Sequence, residues 1–481
     1  MKGIMRTYPS WIFLTTATTL MGQLVVAAQD WQTVDDFALE GVNAEAHGVA
    51  VDAAGRIYVA GTANGHAIVR YSADGGATWS TRDDFLYPSE SNNSFNAITI
   101  NRQGDLFVGG ASGGHWIVRR STNQGAAWAI VDDFFQPRNG PIEGTNGAVY
   151  SLSNDGQGRV YGAGLMRRTG PSYNNWMVRG SDLGGTNWNS KLLLFSGYAN
   201  VGQLTWAGED VYVTGSTSDS VVNTGLTVRS SDFGTTWTTN FTSTSEAYSA
   251  ITSDPGGNIY AAGIEPSSNS TNWLVRKAAP GGTNWTIVDR FSSSGSPNSI
   301  AVNAARSICV AGRSVFYNIY TDDAGTHYDA NWAWVSRQYS VVSGQWNTTD
   351  VFSYSGNPTN THAAAIGTAI ARDGTTFVVG YGSTESGQRH WVVRKRGFQP
   401  RLQIAFVGRS VTVSWPAAYT NSTLEWTDSM GASQLWKTFT GVVDVVNGQN
   451  TVTFDVAAGA RLFRLKSTAD PSPYALTKNS P

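Results

Sequence analysis

One short pattern, a strand that ends on glycine, occurs seven times in this 481-residue chain and decides what it can fold into. It reads GRIYVAG at 55–61, GDLFVGG at 104–110, GRVYGAG at 158–164 and EDVYVTG at 209–215. GNIYAAG at 257–263, RSICVAG at 306–312 and GTTFVVG at 374–380 complete the series. The closing residues Gly61, Gly110, Gly164, Gly215, Gly263, Gly312 and Gly380 are 49, 54, 51, 48, 49 and 68 residues apart. A period near fifty marks a supersecondary unit that buries its apolar face only against copies of itself.

Each copy predicts four strands. A small-residue strand such as HGVAVDA or NAITINR comes first, and the glycine-closed strand follows. The third ends in Val-Arg, as in HAIVR, HWIVR, NWMVR, GLTVR, NWLVR and HWVVR, with NWAWVSR as the sixth-copy variant. A Trp-led strand closes the unit: WSTRDDF, WAIVDDF, WTIVDRF or WNTTDVF. The alternation of β-branched and polar residues fits half-buried antiparallel strands. Four-stranded units repeated radially make a β-propeller, and no capping repeats of a linear stack are visible. The seventh copy stops after HWVVRKR at 390–396, while DWQTVDDF at 30–37 supplies the missing outer strand. The chain is therefore expected to be all-β. A seven-bladed propeller spans 29–398, and its last blade is closed by the N-terminal strand, which removes the free edges.

The flanking segments read differently. Residues 1–28 carry Lys2 and Arg6, then an apolar run ending Val26-Ala27-Ala28, the pattern of an export signal. Without them the chain holds 31 basic and 35 acidic side chains, a net charge of −4. With no basic excess, binding of nucleic acid through phosphate charge is excluded. No later run is long and apolar enough to span a bilayer. The mature protein is expected to be extracytoplasmic (secreted, periplasmic or cell-surface), without a membrane span, and monomeric. Cys309 is the only cysteine; it lies in apolar SICVAG and is expected to be a small buried hydrophobe. No cofactor is expected. After Pro400 the repeat gives way to RLQIAFVGRSVTVSWPA, STLEWTDSM and TVTFDVA, with a hairpin-type Asn447-Gly448. These predict a small β-sandwich over 399–467, and 468–481 is expected to be a disordered tail.

Between third and fourth strands lies a recurring turn, S-x-D-x-G-x-T-W. It is complete at Ser72, Asp74, Gly76, Thr78 and Trp79 and at Ser230, Asp232, Gly234, Thr236 and Trp237. STNQGAAW at 121–128, SDLGGTNW at 181–188 and APGGTNW at 279–285 are degenerate copies. Ser and Asp oxygens can accept backbone N–H bonds inside such a turn, and Gly supplies a permissive dihedral. In these residues the chain resembles the Asp-box (BNR repeat) proteins, which include sialidases and propellers without known catalysis. The resemblance implies an exported bacterial propeller of the non-catalytic type, and the VTVSWP…LEWT…FRL pattern is similar to short terminal modules of exported bacterial proteins. In that family the turn lies away from the sialidase active site, so it predicts a hairpin and not an activity.

The family's sialidases hold a substrate carboxylate with three arginines and use a Tyr nucleophile with Glu and Asp, and carry an Arg-Ile-Pro motif that is missing here. Arg70, Arg119, Arg179, Arg229, Arg276, Arg337 and Arg394 occur once per copy, so they are assigned to the blade and not to one pocket. The pairs Asp35-Asp36, Asp83-Asp84 and Asp132-Asp133 also repeat. Adjacent strand residues point to opposite faces, so none of the three pairs flanks one bond, and their charge is expected to guard an edge.

Function is sought in what occurs once. In the sixth copy, RSVFYNIYTDDAGTHYDA fills the connection from second to third strand. It concentrates Tyr317, Tyr320, Asp322, Asp323, His327, Tyr328 and Asp329, followed by Trp332. Flat rings stack on sugar faces while carboxylates accept hydroxyl bonds, so this loop is the candidate carbohydrate site. Two other readings stay open: an extra hairpin, or a cation held by Asp322, Asp323, His327 and Asp329, whose spacing matches no closed metal motif. In the third copy, LMRRTGPSYNN at 165–175 offers Arg167 and Arg168 to an anionic ligand. The expected function is non-catalytic recognition of a carbohydrate or a protein on the face opposite the turns. The alternatives are a sialidase-like glycoside hydrolase or lyase, and a surface scaffold without a discrete pocket.

Overall fold

The computed structural model describes residues 31–397 except 89, 136–145, 168–173, 195–197, 219–222, 268–269, 323–324, 342 and 355–361. Within 402–467 it describes all but 408–409, 418–421, 428–435, 447–448 and 456–461. The expected export signal and C-terminal tail lie outside the described residues. The chain divides into two compact units, and the larger contains Trp31–Ala371 and Thr375–Arg396.

That larger unit is a seven-bladed β-propeller. The blades begin with strands Ala44–Val51, Asn93–Ile100, Asn146–Asn154, Tyr198–Ala207, Ala247–Ser253, Gly295–Val302 and Ala363–Ile370. From each of these the chain meanders outward through antiparallel strands. Blade 7 takes its fourth strand from the N-terminal Gln32–Phe37, which pairs with Arg389–Arg396 from Gln32↔Lys395 to Phe37↔Trp391. The ring is thus closed by the strand that its sequence places there.

The closing glycine has a steric cause that the sequence pattern hides. In every blade the first strand slips register opposite that glycine, as between Ala46 and Gly48 or between Phe95 and Ala97. The β-bulge pushes its backbone toward the second strand. A Cβ on Gly61, Gly110 or Gly380 would fall on the carbonyl oxygen of Glu45, Ser94 or Ala364. The preceding blade crowds the same spot: a Cβ on Gly164 would lie 2.7 Å from the Trp116 ring, and one on Gly215 2.6 Å from Trp176. Those third-strand tryptophans, with Trp273, Trp334 and Trp391, are fully buried. The bulged residues also lace the first strands together. Nδ1–H of His47 donates to Phe95 O at 3.0 Å, and Asn96, Ser249 and Asn298 donate to Val149, Pro297 and Ala365 carbonyls at 2.9, 2.5 and 2.7 Å.

At the outer rim, the fourth strand grips the third strand of the next blade in five of the seven seams. Asp35 of blade 7 accepts Nε and Nη2 of Arg70 in blade 1 at 2.6 and 2.8 Å. The same fork joins Arg179 to Asp132 at 2.7 Å twice, and Arg394 to Asp350 at 2.7 and 2.8 Å. Arg337 meets Asp289 at 2.9 and 2.8 Å, and Arg119 meets Asp83. Two residues after each acid, on the same side of the strand, a phenylalanine underlies that guanidinium. Phe37, Phe85, Phe134, Phe291 and Phe352 sit 4.1 to 4.3 Å from it. Burial pushes the carboxyls of Asp35, Asp83, Asp132 and Asp350 up from their ordinary value, against the pull of the arginine. The first Asp of each repeated pair is therefore a buried seam residue and not an edge guard.

Two seams depart from the pattern. Arg276 takes Glu246, from the connection after the fourth strand of blade 4, at 3.0 and 2.6 Å. Blade 3 ends in WNSKLLL, which holds no acid, and Arg229 turns to Asp210 of its own blade at 2.8 Å. There a single parallel pair, Asn174↔Tyr198, joins blades 3 and 4 into one eight-stranded sheet.

The smaller unit contains two sheets. Gln403–Val407, Ser410–Pro416, Gln449–Asp455 and Asp444–Val446 form one, and Lys437–Thr438, Ser422–Thr427 and Leu462–Ser467 the other. Val411, Val413, Trp415 and Val452 from the first pack with Leu424 and Phe463 from the second, so the unit is a β-sandwich. No helix among the described residues is long and apolar enough to cross a membrane.

The steric account makes a direct prediction. Gly110→Ala is expected to lower unfolding free energy by about 1–3 kcal/mol or more, the usual cost of overpacking. Gly184→Ala, where a Cβ meets only ordinary contacts at 3.5 Å and beyond, is expected to stay within about 0.5 kcal/mol. Denaturant melts of the two variants check this.

Candidate functional site

The repeated motifs are occupied with structure. In the complete turns the serine hydroxyl donates to the aspartate, Ser72 to Asp74 at 2.8 Å and Ser230 to Asp232 at 2.7 Å. The same serine oxygens accept the N–H of Gly76 and Gly234, both at 2.8 Å. Thr78 and Thr236 donate backbone N–H and hydroxyl to the two oxygens of their aspartate. Gly76 and Gly234 adopt φ of +97° and +80°, the left-handed region that glycine enters freely. Trp79 and Trp237 reach across the seam, donating Nε1–H to Val34 O at 2.8 Å and Lys191 O at 3.1 Å.

The second Asp of each pair faces a histidine of its own blade. Nδ1 of His390, His66 and His115 lies 2.9, 2.6 and 2.6 Å from Asp36, Asp84 and Asp133. Tyr354 and Tyr87, each from the end of the preceding blade, donate to Asp36 at 2.7 Å and Asp133 at 2.8 Å. A Tyr–His–Asp set resembles acid–base machinery. Its recurrence in blades 7 and 2, with the His–Asp part also in blade 1, marks it as a second clasp outside the arginine fork. Cys309 is fully buried and its thiol is pushed up to about 12 by burial, which leaves it protonated and inert.

Blade 6 is where the repeat breaks. Its middle strands, Ile308–Asp322 and Gly325–Ser340, pair without interruption to Asp322↔Gly325. Other second strands end two to four residues beyond their closing glycine, so this hairpin adds roughly 20–26 Å of paired strand at about 3.3 Å per residue. The connection is thus an extension of the blade's own hairpin. Its backbone sets Tyr320 opposite His327, Asn318 opposite Asp329 and Tyr317 opposite Ala330. The side chains of Tyr317, Tyr320, Asp322, His327, Tyr328 and Asp329 lie outside the described ones, as does residue Asp323. Arg167 pairs in backbone with Asn146 and Asn174, and its side chain and Arg168 also lie outside what is described.

Trp332 is described, and it leads to residues that sequence reading missed. The Arg313 guanidinium lies 4.2 Å from its ring centroid, and its backbone N–H donates to Nδ1 of His362 at 3.3 Å. By register, Trp332 in blade 6 occupies the position of Arg389 in blade 7, and Arg313 that of Tyr381. In blade 7 the stack recurs with cation and ring exchanged, Arg389 lying 4.4 Å from the Tyr381 ring. The equivalent pairs in blades 1 to 5 are Thr62 with Gly65, Ala111 with Gly114, Leu165 with Asn174, Ser216 with Asn223, and Ile264 with Thr271. None of those carries a charge or an aromatic ring. The two cation–aromatic stacks are therefore peculiar to blades 6 and 7, on the side of the ring that bears the long hairpin.

Blade 1 completes the rim. Arg389 donates Nη1–H to Glu45 at 2.7 Å and its backbone N–H to the Asn43 side chain at 2.9 Å. Nε2 of His47 lies 3.7 Å from Glu45. Burial raises the Glu45 carboxyl, but bonding from His47 and Arg389 outweighs it and holds the group below its ordinary value. Burial pushes the Tyr381 hydroxyl up. At neutral pH the rim thus presents two guanidinium ions, an ionised but occupied carboxylate, and neutral phenol and indole. Among the described residues no group of three or more His, Cys, Asp or Glu side chains could hold a metal ion.

No family model matches the chain, and no curated protein matches it by sequence. Among solved structures it is similar to oligogalacturonate lyase from Vibrio parahaemolyticus, with 8% identity, 77% of this chain and 97% of that one covered, and a TM-score of 0.50. It is also similar to a catalytically inactive virginiamycin B lyase from Staphylococcus aureus, with 12% identity, 77% and 100% coverage and a TM-score of 0.44. A protein of unknown function from Dyadobacter fermentans gives 13% identity, 77% and 99% coverage and a TM-score of 0.44. At such identities the likeness is one of fold, the β-propeller.

The turns offer a pH test of their own geometry. The Thr78 and Thr236 donors hold Asp74 and Asp232 at about 2, below the unfolded value of about 3.9. A depressed carboxylate adds stability that is complete above the unfolded value and is lost as pH falls toward the folded one. In an NMR titration the Asp232 side-chain carbon should shift near pH 2, and Thr236→Val should move that midpoint back toward the ordinary range.

Proposed function

We propose that this is an exported, non-catalytic recognition protein of the Asp-box type, which binds carbohydrate on the propeller face opposite the S-x-D-x-G-x-T-W turns. The observation that carries the reading is the departure from repetition in one sector. Among the described residues, blade 6 alone extends its middle hairpin to strands of 15 and 16 residues, and the neighbouring positions in blades 6 and 7 replace neutral residues with cation–aromatic stacks. Rings with flanking hydrogen-bond donors suit sugars, because each ring buries apolar C–H surface while the donors take hydroxyls.

Among the described residues, the recurrent groups that could serve a glycosidase or lyase are committed elsewhere. Six of the seven recurrent arginines hold seams, the first acids of the repeated pairs are buried beneath them, and the second acids are clasped by histidine. Glu45 is ionised and held by Arg389, so it is no general acid at neutral pH. These commitments favour binding over turnover. Export fits the leader read at 1–28, and the acidic balance argues against nucleic acid as partner.

A glycan array run beside hydrolysis and lyase assays on sialosides and polyuronates tests this reading. Binding without turnover is expected, and Trp332→Ala should weaken it at least tenfold while leaving the melting temperature within a few degrees. Turnover above blank would overturn the non-catalytic part. Silence on every glycan would turn the reading toward a protein scaffold.

A further inference from the structure

The sheet edges of this protein are not treated alike. In all seven blades the outer strand slips register against its neighbour, as between Thr33 and Asp35 or between Val69 and Arg70, and such bulges turn an edge away from passing strands. In the smaller unit, Asp444–Val446 ends its sheet and, among the described residues, pairs only with Gln449–Asp455, without a slip. Every residue from Gly441 to Val446 is exposed. Val442 and Val445 are 81% and 65% exposed, and neither they nor Val443 and Val446 belong to the sandwich core. Val446 and Gln449 pair with two residues between them, so they exchange backbone bonds, and the next pair, Val445↔Asn450, does not. The backbone N–H and C=O of Val445, and of Val443 two residues before it, therefore point away from the sheet. The edge thus offers unused backbone bonds, valines on both faces, and one charge between them, Asp444.

We infer that Gly441–Val446 docks an extended strand of a partner protein, which adds to the sheet through Val443 and Val445 and carries Lys or Arg opposite Asp444. This lies beyond the carbohydrate reading and does not depend on it. Charge selects the occupant. A second copy adding through the same two valines would set Asp444 against its own counterpart. That pair carries no backbone bonds, its Cα atoms come within about 4.5 Å, and like charges there repel. Moving the copy along by two residues removes the clash only by setting Asp444 against Val442 or Val446. A strand with a cation at that position and β-branched residues beside it gains the ion pair and covers the valines. In this mode of strand addition the backbone bonds give affinity and the side chains give selection.

The test titrates the full chain with two capped peptides, TITKTIT and TITETIT, and follows sedimentation of the chain alone. The Lys peptide is expected to bind about threefold more tightly or better at low salt, and the difference should shrink at about 0.5 M salt. Asp444→Lys should reverse the order of the two peptides. Val445→Pro removes an outward N–H and no ladder bond, so it should abolish binding of both while the melting temperature stays within a few degrees. Equal affinities, an order unchanged in Asp444→Lys, or binding that survives Val445→Pro would overturn the inference, as would no binding of either peptide. So would a dimer of the chain alone that Val445→Pro dissolves, since the edge would then belong to a second copy. None of these results bears on glycan binding, which the array tests separately.

Discussion

The propeller depends on one repeated interaction, an arginine in the third strand of a blade held by an aspartate and a phenylalanine from the blade before it. A ring of blades must resist sliding at every seam, and apolar packing between sheets does not by itself fix their registration. The fork does, because two parallel N–H···O bonds tolerate little displacement. The phenylalanine beneath the guanidinium adds a contact of about 0.5–2 kcal/mol and excludes water from the pair. The weight of the arrangement lies in its dependence on both partners. A carboxylate buried to this degree, with its proton affinity raised, is tolerable only while the arginine is there.

Inside that rim, crowding does the remaining work. The bulged first strand crowds the closing glycine, and at Gly61, Gly164 and Gly215 the tryptophan of the preceding blade converges on the same point, where only a hydrogen fits. His47, Asn96, Ser249 and Asn298 then tie first strands to their neighbours around the channel. The seam between blades 3 and 4 lacks the fork, and a backbone pair between Asn174 and Tyr198 stands in its place. Ring closure through Gln32–Phe37 delivers Asp35, Asp36 and Phe37 together, so the N-terminal strand brings both clasps and not merely a fourth strand.

Much of this is legible in the sequence. Spacing of the glycine-closed strands gives seven blades, and the match of DWQTVDDF to WAIVDDF gives the closure. Alternation shows that Asp35 and Asp36 face opposite ways, but not where each goes, because Arg70 lies 35 residues from Asp35 and meets it only across a seam. Likewise the glycines announce a constraint without naming the bulge that imposes it, since a register slip changes no residue type. At the candidate site, the long sixth-copy connection and Trp332 stand out by length and composition. Arg313, Tyr381, Arg389 and Glu45 do not, because each sits inside a regular strand. Their signal appears only on aligning the residue after each closing glycine, where Thr62, Ala111, Leu165, Ser216 and Ile264 give way to Arg313 and Tyr381.

The central claim is that the seam fork, more than blade packing alone, holds the ring in register. The most direct measurement is a double-mutant cycle on Arg179 and Asp132, using Arg179→Met, Asp132→Leu and the pair, with unfolding free energies from denaturant melts. Each single substitution is predicted to cost about 3–5 kcal/mol, because it leaves the other charge buried alone. The double variant is predicted to cost far less than the two losses added together. Single losses below about 1 kcal/mol, or losses that simply add, would contradict the account.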